Sequence, residues 1–186
     1  MTPVFSRKQK LGKPRKLLPK LLTSPRGTWV DMACGDGVFA EVLLEIGKPE
    51  IRVLGLDINR SALLRFRDQL KTKYVEVLTL QADLESPLPF SGADGIIFAN
   101  GLHFFPERQQ VRVLRNIASS LKHDGQIIIV EYNSERSTAA VPYPISEKNI
   151  TRLLIAAGFH PPHKDSRASS SYLGEIYAVL TTKAAL

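Results

Sequence analysis

From Thr28 onward, short apolar runs alternate with longer stretches in which apolar positions recur every three or four residues. TWVDMAC (28–34), IRVLGLD (51–57), VEVLTLQ (75–81), GIIFAN (95–100) and QIIIVEY (126–132) are strand-sized and rich in β-branched residues. Between them lie helical patterns. Residues 37–47 put Phe39, Val42, Leu43 and Ile46 on one face and stop at Gly47 and Pro49. Residues 60–71 turn Ala62, Leu63, Phe66 and Leu70 inward and Arg60, Arg65, Arg67 and Lys71 outward. A third helix is predicted from Pro106 to Lys122, with HDG (123–125) as the following turn, and a fourth over 146–157, ended by Gly158. This alternation predicts βα units on a largely parallel sheet with helices on both faces. The tail, FHPPHK (159–164) and LGEIYAVLT (173–181), has no helix-length pattern between its two runs and reads as an antiparallel hairpin, for seven strands in all.

A chain of 186 residues fits one such sheet, so the expected organisation is a single domain over residues 27–186 preceded by a basic segment, 1–26. No run approaches 18 consecutive apolar residues, which argues against membrane insertion. Cys34 is the only cysteine, so an internal disulfide and a cysteine-built metal site are both excluded; no metal is expected. With no secretory h-region in the first 26 residues, a cytoplasmic location is expected.

Charge changes the picture at one end. The net +7 comes from Arg7, Lys8, Lys10, Lys13, Arg15, Lys16, Lys20 and Arg26, with no acid before Asp31; the remainder carries 17 cations against 18 acids. Such a segment suits a polyanion such as nucleic acid, contacted through residues 7–26, or is a solvated leader. Pro3, Pro14, Pro19 and Pro25 are expected to break any long helix here. Leu17, Leu18, Leu21 and Leu22 suggest instead a short amphipathic turn that docks on the body and covers a pocket mouth.

The candidate chemistry sits in VDMACGDGVF (30–39), where a strand ends in a glycine turn and a helix begins. Gly35 and Gly37 let backbone approach a ligand, and the helix start offers free N–H groups. Asp57 closes the second strand, where a carboxylate can accept from both ribose hydroxyls of a nucleoside cofactor. A dinucleotide fingerprint would fall on Ala33, Gly35 and Val38 and lose two of its three glycines.

Asp31-Met32-Ala33-Cys34-Gly35-Asp36-Gly37 resembles the first motif, (D/E)-x-G-x-G-x-G, of the class I S-adenosylmethionine-dependent methyltransferases, with Ala33 in place of the first glycine. The resemblance runs over residues 28–181 through several weak motifs in order. It implies a single-domain Rossmann-like methyltransferase fold whose last strand is antiparallel and inserted beside the fifth. By the same resemblance Asp31, Ala33, Gly35 and Gly37 would face the methionine part of the cofactor, Asp57 would hold the ribose and Ile58 would lie against the adenine. QADLE (81–85) is similar to the third motif, giving Asp83 and the Leu84 backbone to the adenine. FANGLHF (98–104) is similar to the fourth, giving Ala99 and Asn100 to the methionine and sulfonium.

The implied reaction is an in-line methyl transfer to an acceptor, with S-adenosylhomocysteine as product. His103 is the candidate base; the alternative is a packing histidine against Phe104 and Phe105. NGLH at 100–103 departs from the (N/D/S)-P-P-(Y/F) motif of relatives that methylate nucleobase amino groups, and no second cysteine exists for cytosine-C5 chemistry. A small-molecule acceptor is the main expectation, an RNA acceptor held by the basic segment the second, and a cofactor-binding homologue without catalysis the third. The acceptor site is expected from the N-terminal segment, the loop after Phe104, and residues 133–146, where Arg136 and Tyr143 are candidates and Arg136 would favour an anionic acceptor.

Overall fold

In the computed structural model, which describes residues 6–71 and 77–184, the alternating runs become α1 (Arg7–Leu21), β1 (Gly27–Met32), α2 (Val38–Gly47), β2 (Ile51–Asp57), α3 (Arg60–Leu70), β3 (Val77–Gln81) and β4 (Ala93–Ala99). A 3-10 turn (Leu102–Phe104), α4 (Glu107–Ser120), β5 (Leu121–Tyr132), α5 (Glu147–Ala156), β6 (Lys164–Ser170) and β7 (Gly174–Thr182) complete the order. Residues 75 and 76 of the expected third strand lie outside the described residues. The sheet order is β3-β2-β1-β4-β5-β7-β6. β1 to β5 pair in parallel, and β7 inserts antiparallel between β5 and β6, as the resemblance implied.

Period-two alternation sends neighbouring residues to opposite faces. Trp29, Val53, Ile97, Ile128 and Ala178 pack with α1, α2 and α3. Val30, Leu56, Phe98, Ile129 and Val179 pack with α4 and α5. The chain reverses its direction of travel across the sheet between β1 and β4, so a crevice opens at the carboxyl ends of these strands, where open parallel sheets bind ligands.

Three expectations need correction. The prolines do not break the N-terminal helix: α1 runs 15 residues through Pro14 and Pro19. Ser6 starts it, its hydroxyl and backbone exchanging hydrogen bonds with Gln9. Two interior prolines cost roughly 6 kcal/mol. Burial of Leu11, Leu17, Leu18 and Leu21 against the body returns roughly 6–12 kcal/mol, which offsets that cost.

HDG is not a free turn between helix and strand. Ala93 pairs with Leu121 and Gly95 with Gln126, so residues 122–125 bulge within β5. Gly125 is required there, because a Cβ would lie 2.9 Å from the Leu121 Cβ. Finally, the sixth strand is not FHPPHK but KDSRASS. Pro161 and Pro162 offer no N–H for a ladder. β6 is an edge strand whose inward positions are the small residues Ser166, Ala168 and Ser170 beneath α1, so its sequence carries no apolar run.

Candidate active site

The turn after β1 winds through two left-handed positions, Ala33 (φ 52°) and Gly35 (φ 54°), before Gly37 (φ 77°) precedes α2. Ala33 holds the conformation that glycine would otherwise supply. The glycines differ in duty. Nothing lies within 4 Å of a Cβ built on Gly35, so its backbone faces open space, whereas one on Gly37 would meet the Phe66 ring at 2.7 Å. Gly37 therefore lets α3 close on the turn.

The three acids stand at successive strand ends. Asp31 is buried, and its Oδ2 accepts from Ala40 N at 3.1 Å, inside α2. Burial pushes its carboxyl well above the ordinary range, with Asp57 and Asp36 adding repulsion and the Ala40 N–H partly opposing. Asp57 accepts from Gly35 N at 3.0 Å and Asn59 N at 2.8 Å, which fixes the carboxylate at the crevice while leaving lone pairs over. Asp83 accepts from Glu85 N at 2.9 Å.

A cavity of about 460 Å³ follows, lined by Ala33, Asp57, Ile58, Asp83, Leu84 and Asn100 among others. Ile58 is 65% exposed, an apolar plate facing the cavity rather than the core. Leu56, Gly101, Phe104 and Phe105 also line it; the sequence points to Phe104 and Phe105 only as packing for His103 and to the loop after Phe104 as part of the acceptor site, and gives Leu56 and Gly101 no role. Ala99 lies in the core and lines neither this cavity nor its neighbour.

A second cavity, of about 290 Å³, adjoins it and shares Asn100. Its walls include Phe39, Tyr132 and Ile176, and α1 closes it with Lys10, Lys13 and Pro14. α1 is held by polar contacts as well as leucines. Arg7 Nε and Nη2 converge on Glu41 Oε2 at 2.9 and 2.6 Å, Arg7 Nη1 donates to Asp36 O at 2.9 Å, and Lys10 Nζ pairs with Asp36 Oδ2 at 2.6 Å. The basic segment thus grips the glycine turn itself. Residues 133–146 contribute nothing to either cavity: Arg136 is exposed, and Tyr143 lines a separate pocket beside α4.

Asn100 sits at φ 52° where β4 ends, and its Oδ1 is buried without a donor. His103 is 1% exposed and lines neither cavity; its ring lies 4.4 Å from Phe104, a wall of the larger, and 6.3 Å from Tyr132, a wall of the smaller. Glu131 controls this turn. Its Oε1 accepts from Leu102 N (3.0 Å) and His103 N (3.2 Å), and its Oε2 lies 2.6 Å from His103 Nδ1. This contact turns Nδ1 toward Glu131 and Nε2 away from it, and Nε2 is buried without a hydrogen-bond partner. Glu131 escaped notice, yet an acid inside QIIIVEY, a run buried on both faces, must have a partner. Cys34 is buried near Asp31 and Asp57, and burial followed by these charges pushes its thiol far up, so it is no nucleophile.

A family model for a methyltransferase domain matches residues 30–125, just over half of the chain, and the chain belongs to that family. Among curated relatives, the demethylmenaquinone methyltransferase of Listeria welshimeri is 32% identical over 121 residues, covering 63% of this chain and 50% of that protein. The corresponding protein of Bacillus licheniformis is 27% identical over 114 residues, 60% of this chain and 48% of that protein. The chain spans about half the length of these relatives. Among solved structures, a mitomycin 7-O-methyltransferase superposes with a TM-score of 0.76 at 21% identity, over 95% of this chain and 54% of that one. A SAM-dependent methyltransferase of Aquifex aeolicus gives 0.72 at 18% identity, over 97% and 100%. These likenesses establish the Rossmann-like methyltransferase fold. S-adenosylmethionine, the cofactor of this class, fits the residues present: a carboxylate beside an open glycine backbone, an apolar plate for a base, and an orphaned acceptor in Asn100 Oδ1 where an ammonium would donate.

Proposed function

We propose that this chain is an S-adenosylmethionine-dependent methyltransferase that methylates a small molecule by in-line displacement, and that residues 7–26 roof an acceptor site built on the cofactor-binding body, 27–186. One observation carries the reading: two cavities of different chemistry meet at Asn100, whose buried Oδ1 has no partner. The larger has the polar and apolar features of a nucleoside site; the smaller, about 290 Å³, suits a compact acceptor. The curated relatives point the same way: demethylmenaquinone, the acceptor their name states, is a small molecule. Bound S-adenosylmethionine would supply a methyl already activated on a sulfonium.

The chain's own tasks are to bind, align and exclude water, which need no covalent step. Asp57 takes the ribose hydroxyls, Asp83 and the Leu84 backbone the adenine edge, Ile58 the adenine face, and Asp31, Asn100 and the turn at 33–37 the methionine end. Ala99 belongs to the core rather than to the cavity walls and takes no contact role. His103, with Nδ1 turned toward Glu131 and Nε2 unpartnered, is the proton acceptor for an acceptor that arrives protonated. The RNA reading loses ground because Arg7, Lys10 and Arg15 are paired with Glu41, Asp36 and Glu45 of the body.

Calorimetric titration with S-adenosylmethionine and S-adenosylhomocysteine, with NAD as control, tests the assignment. Micromolar binding of the first two alone is expected, and NAD binding or silence refutes it. Asp57→Ala should weaken S-adenosylhomocysteine by about 1.5–3 kcal/mol, roughly 10- to 150-fold. An unchanged Kd would place the ribose elsewhere.

A further inference from the structure

We propose that the smaller cavity selects flat, conjugated acceptors bearing an anionic oxygen, and that Lys13 is the residue that makes the selection. The inference rests on the methyltransferase reading and names the acceptor class for its second cavity. Lys10, Lys13 and Pro14 stand at helical spacing on one face of α1, and all three line the cavity, while Leu11, Leu17, Leu18 and Leu21 are buried in the core. The two lysines are not equivalent. Lys10 is neutralised by Asp36 Oδ2 at 2.6 Å. Lys13 Nζ donates only to the neutral Ser170 Oγ at 3.1 Å and stands 6.0 Å from the centroid of the Tyr132 ring; among the described residues no carboxylate lies within ion-pair distance of it.

An ammonium carries three donors, so Lys13 has two left and a whole charge uncompensated at the edge of an apolar space. An amine acceptor in its protonated form would be repelled there, and a neutral one would leave the charge unanswered. An ionised oxygen answers it. Tyr132 and Phe39 supply aromatic walls, and Tyr132 is itself braced edge-on by Tyr172 at 5.7 Å, so a planar ring is the shape the space accepts. The cationic partner expected from Arg136 is thus supplied by α1 instead. The ionised oxygen is also the reactive form: its proton has left to solvent, its lone pair forms the bond to the methyl carbon, and the carbon–sulfur pair departs with sulfur.

The test uses 4-nitrophenol, whose ionised form is read by its visible absorbance, titrated into the full chain across neutral pH. The expected result is that the phenolate binds about tenfold more tightly than the phenol, lowering the bound probe's midpoint by about one pH unit. Lys13→Met should abolish this preference and Lys13→Arg should keep it, which a merely structural lysine would not do. Equal binding of both forms by the wild type, or an undiminished preference in Lys13→Met, overturns the inference. S-adenosylhomocysteine is titrated separately into the wild type. If it binds while the phenolate preference is absent, Lys13 is not the selector and the methyltransferase reading stands. If it fails to bind, that reading falls and takes this inference with it.

Discussion

Asp31→Asn should make the protein more stable and a worse binder of its cofactor. Asparagine keeps the shape and an oxygen to accept from Ala40 N, but removes a carboxylate that burial, Asp57 and Asp36 disfavour. The sign follows from linkage. A carboxyl whose native midpoint lies above its unfolded value contributes fully below the unfolded midpoint, near pH 4, and loses that contribution as pH rises through the native one. Each pH unit between the two midpoints removes about 1.4 kcal/mol at neutral pH, and in a chain of this size 1 kcal/mol moves Tm by about 2–4 °C. Thermal unfolding of the wild type and Asp31→Asn should therefore coincide near pH 4 and diverge toward pH 8, the variant melting several degrees higher. The ammonium and sulfonium of S-adenosylmethionine should favour the ionised carboxylate, so calorimetry should find weaker binding in the variant. A variant equally or less stable at pH 8 would refute the burial argument. Unchanged affinity would refute the binding role.

Arg7→Met should cost about 1.5–3 kcal/mol in urea unfolding, the worth of hydrogen bonds to a charged group, because Glu41 loses its guanidinium inside the core. Adding Glu41→Leu should recover most of that, and unaltered stability in Arg7→Met would mean the contact contributes nothing. Glu131→Gln should move the His103 proton from Nδ1 to Nε2, since an amide N–H would face Nδ1; nitrogen chemical shifts report the tautomer, and an unmoved proton would remove Glu131 from control of the ring. If His103 takes the acceptor's proton, His103→Gln should flatten the acid limb of kcat/KM, whereas a pure rise in cofactor KM would make it a positioning residue.

What was legible in the sequence was local. The strand, glycine turn and helix start at 30–39 are contiguous, and Asp57 and Asp83 close their own or neighbouring strands, so the acids could be ordered without a tertiary contact. Prolines 14 and 19 misled because the leucine burial that outweighs them comes from a distant part of the chain. β6 was misplaced because an edge strand beneath a helix needs small residues rather than an apolar run. Lys13 could not be recognised at all, since Ser170 and Tyr132 lie more than a hundred residues away. Glu131 was legible and was missed: charge in a doubly buried run is itself the signal.

The union of α1 with β6 has a consequence for biosynthesis. Lys13 reaches Ser170, and Lys164 Nζ donates to Leu21 O across 143 residues of sequence. At about 5–20 residues per second, the ribosome leaves the leucine face of α1 without that partner for roughly 7–30 s. During that interval Leu11, Leu17, Leu18 and Leu21 have α2 but not β6 to cover them, and the two prolines keep the undocked segment from holding a helix of its own, so apolar side chains stay exposed on the nascent chain. Translation halted before β6 would leave α1 docked on α2 and the glycine turn alone, with part of its leucine face uncovered, so a truncated product should be more open to proteolysis than the full chain.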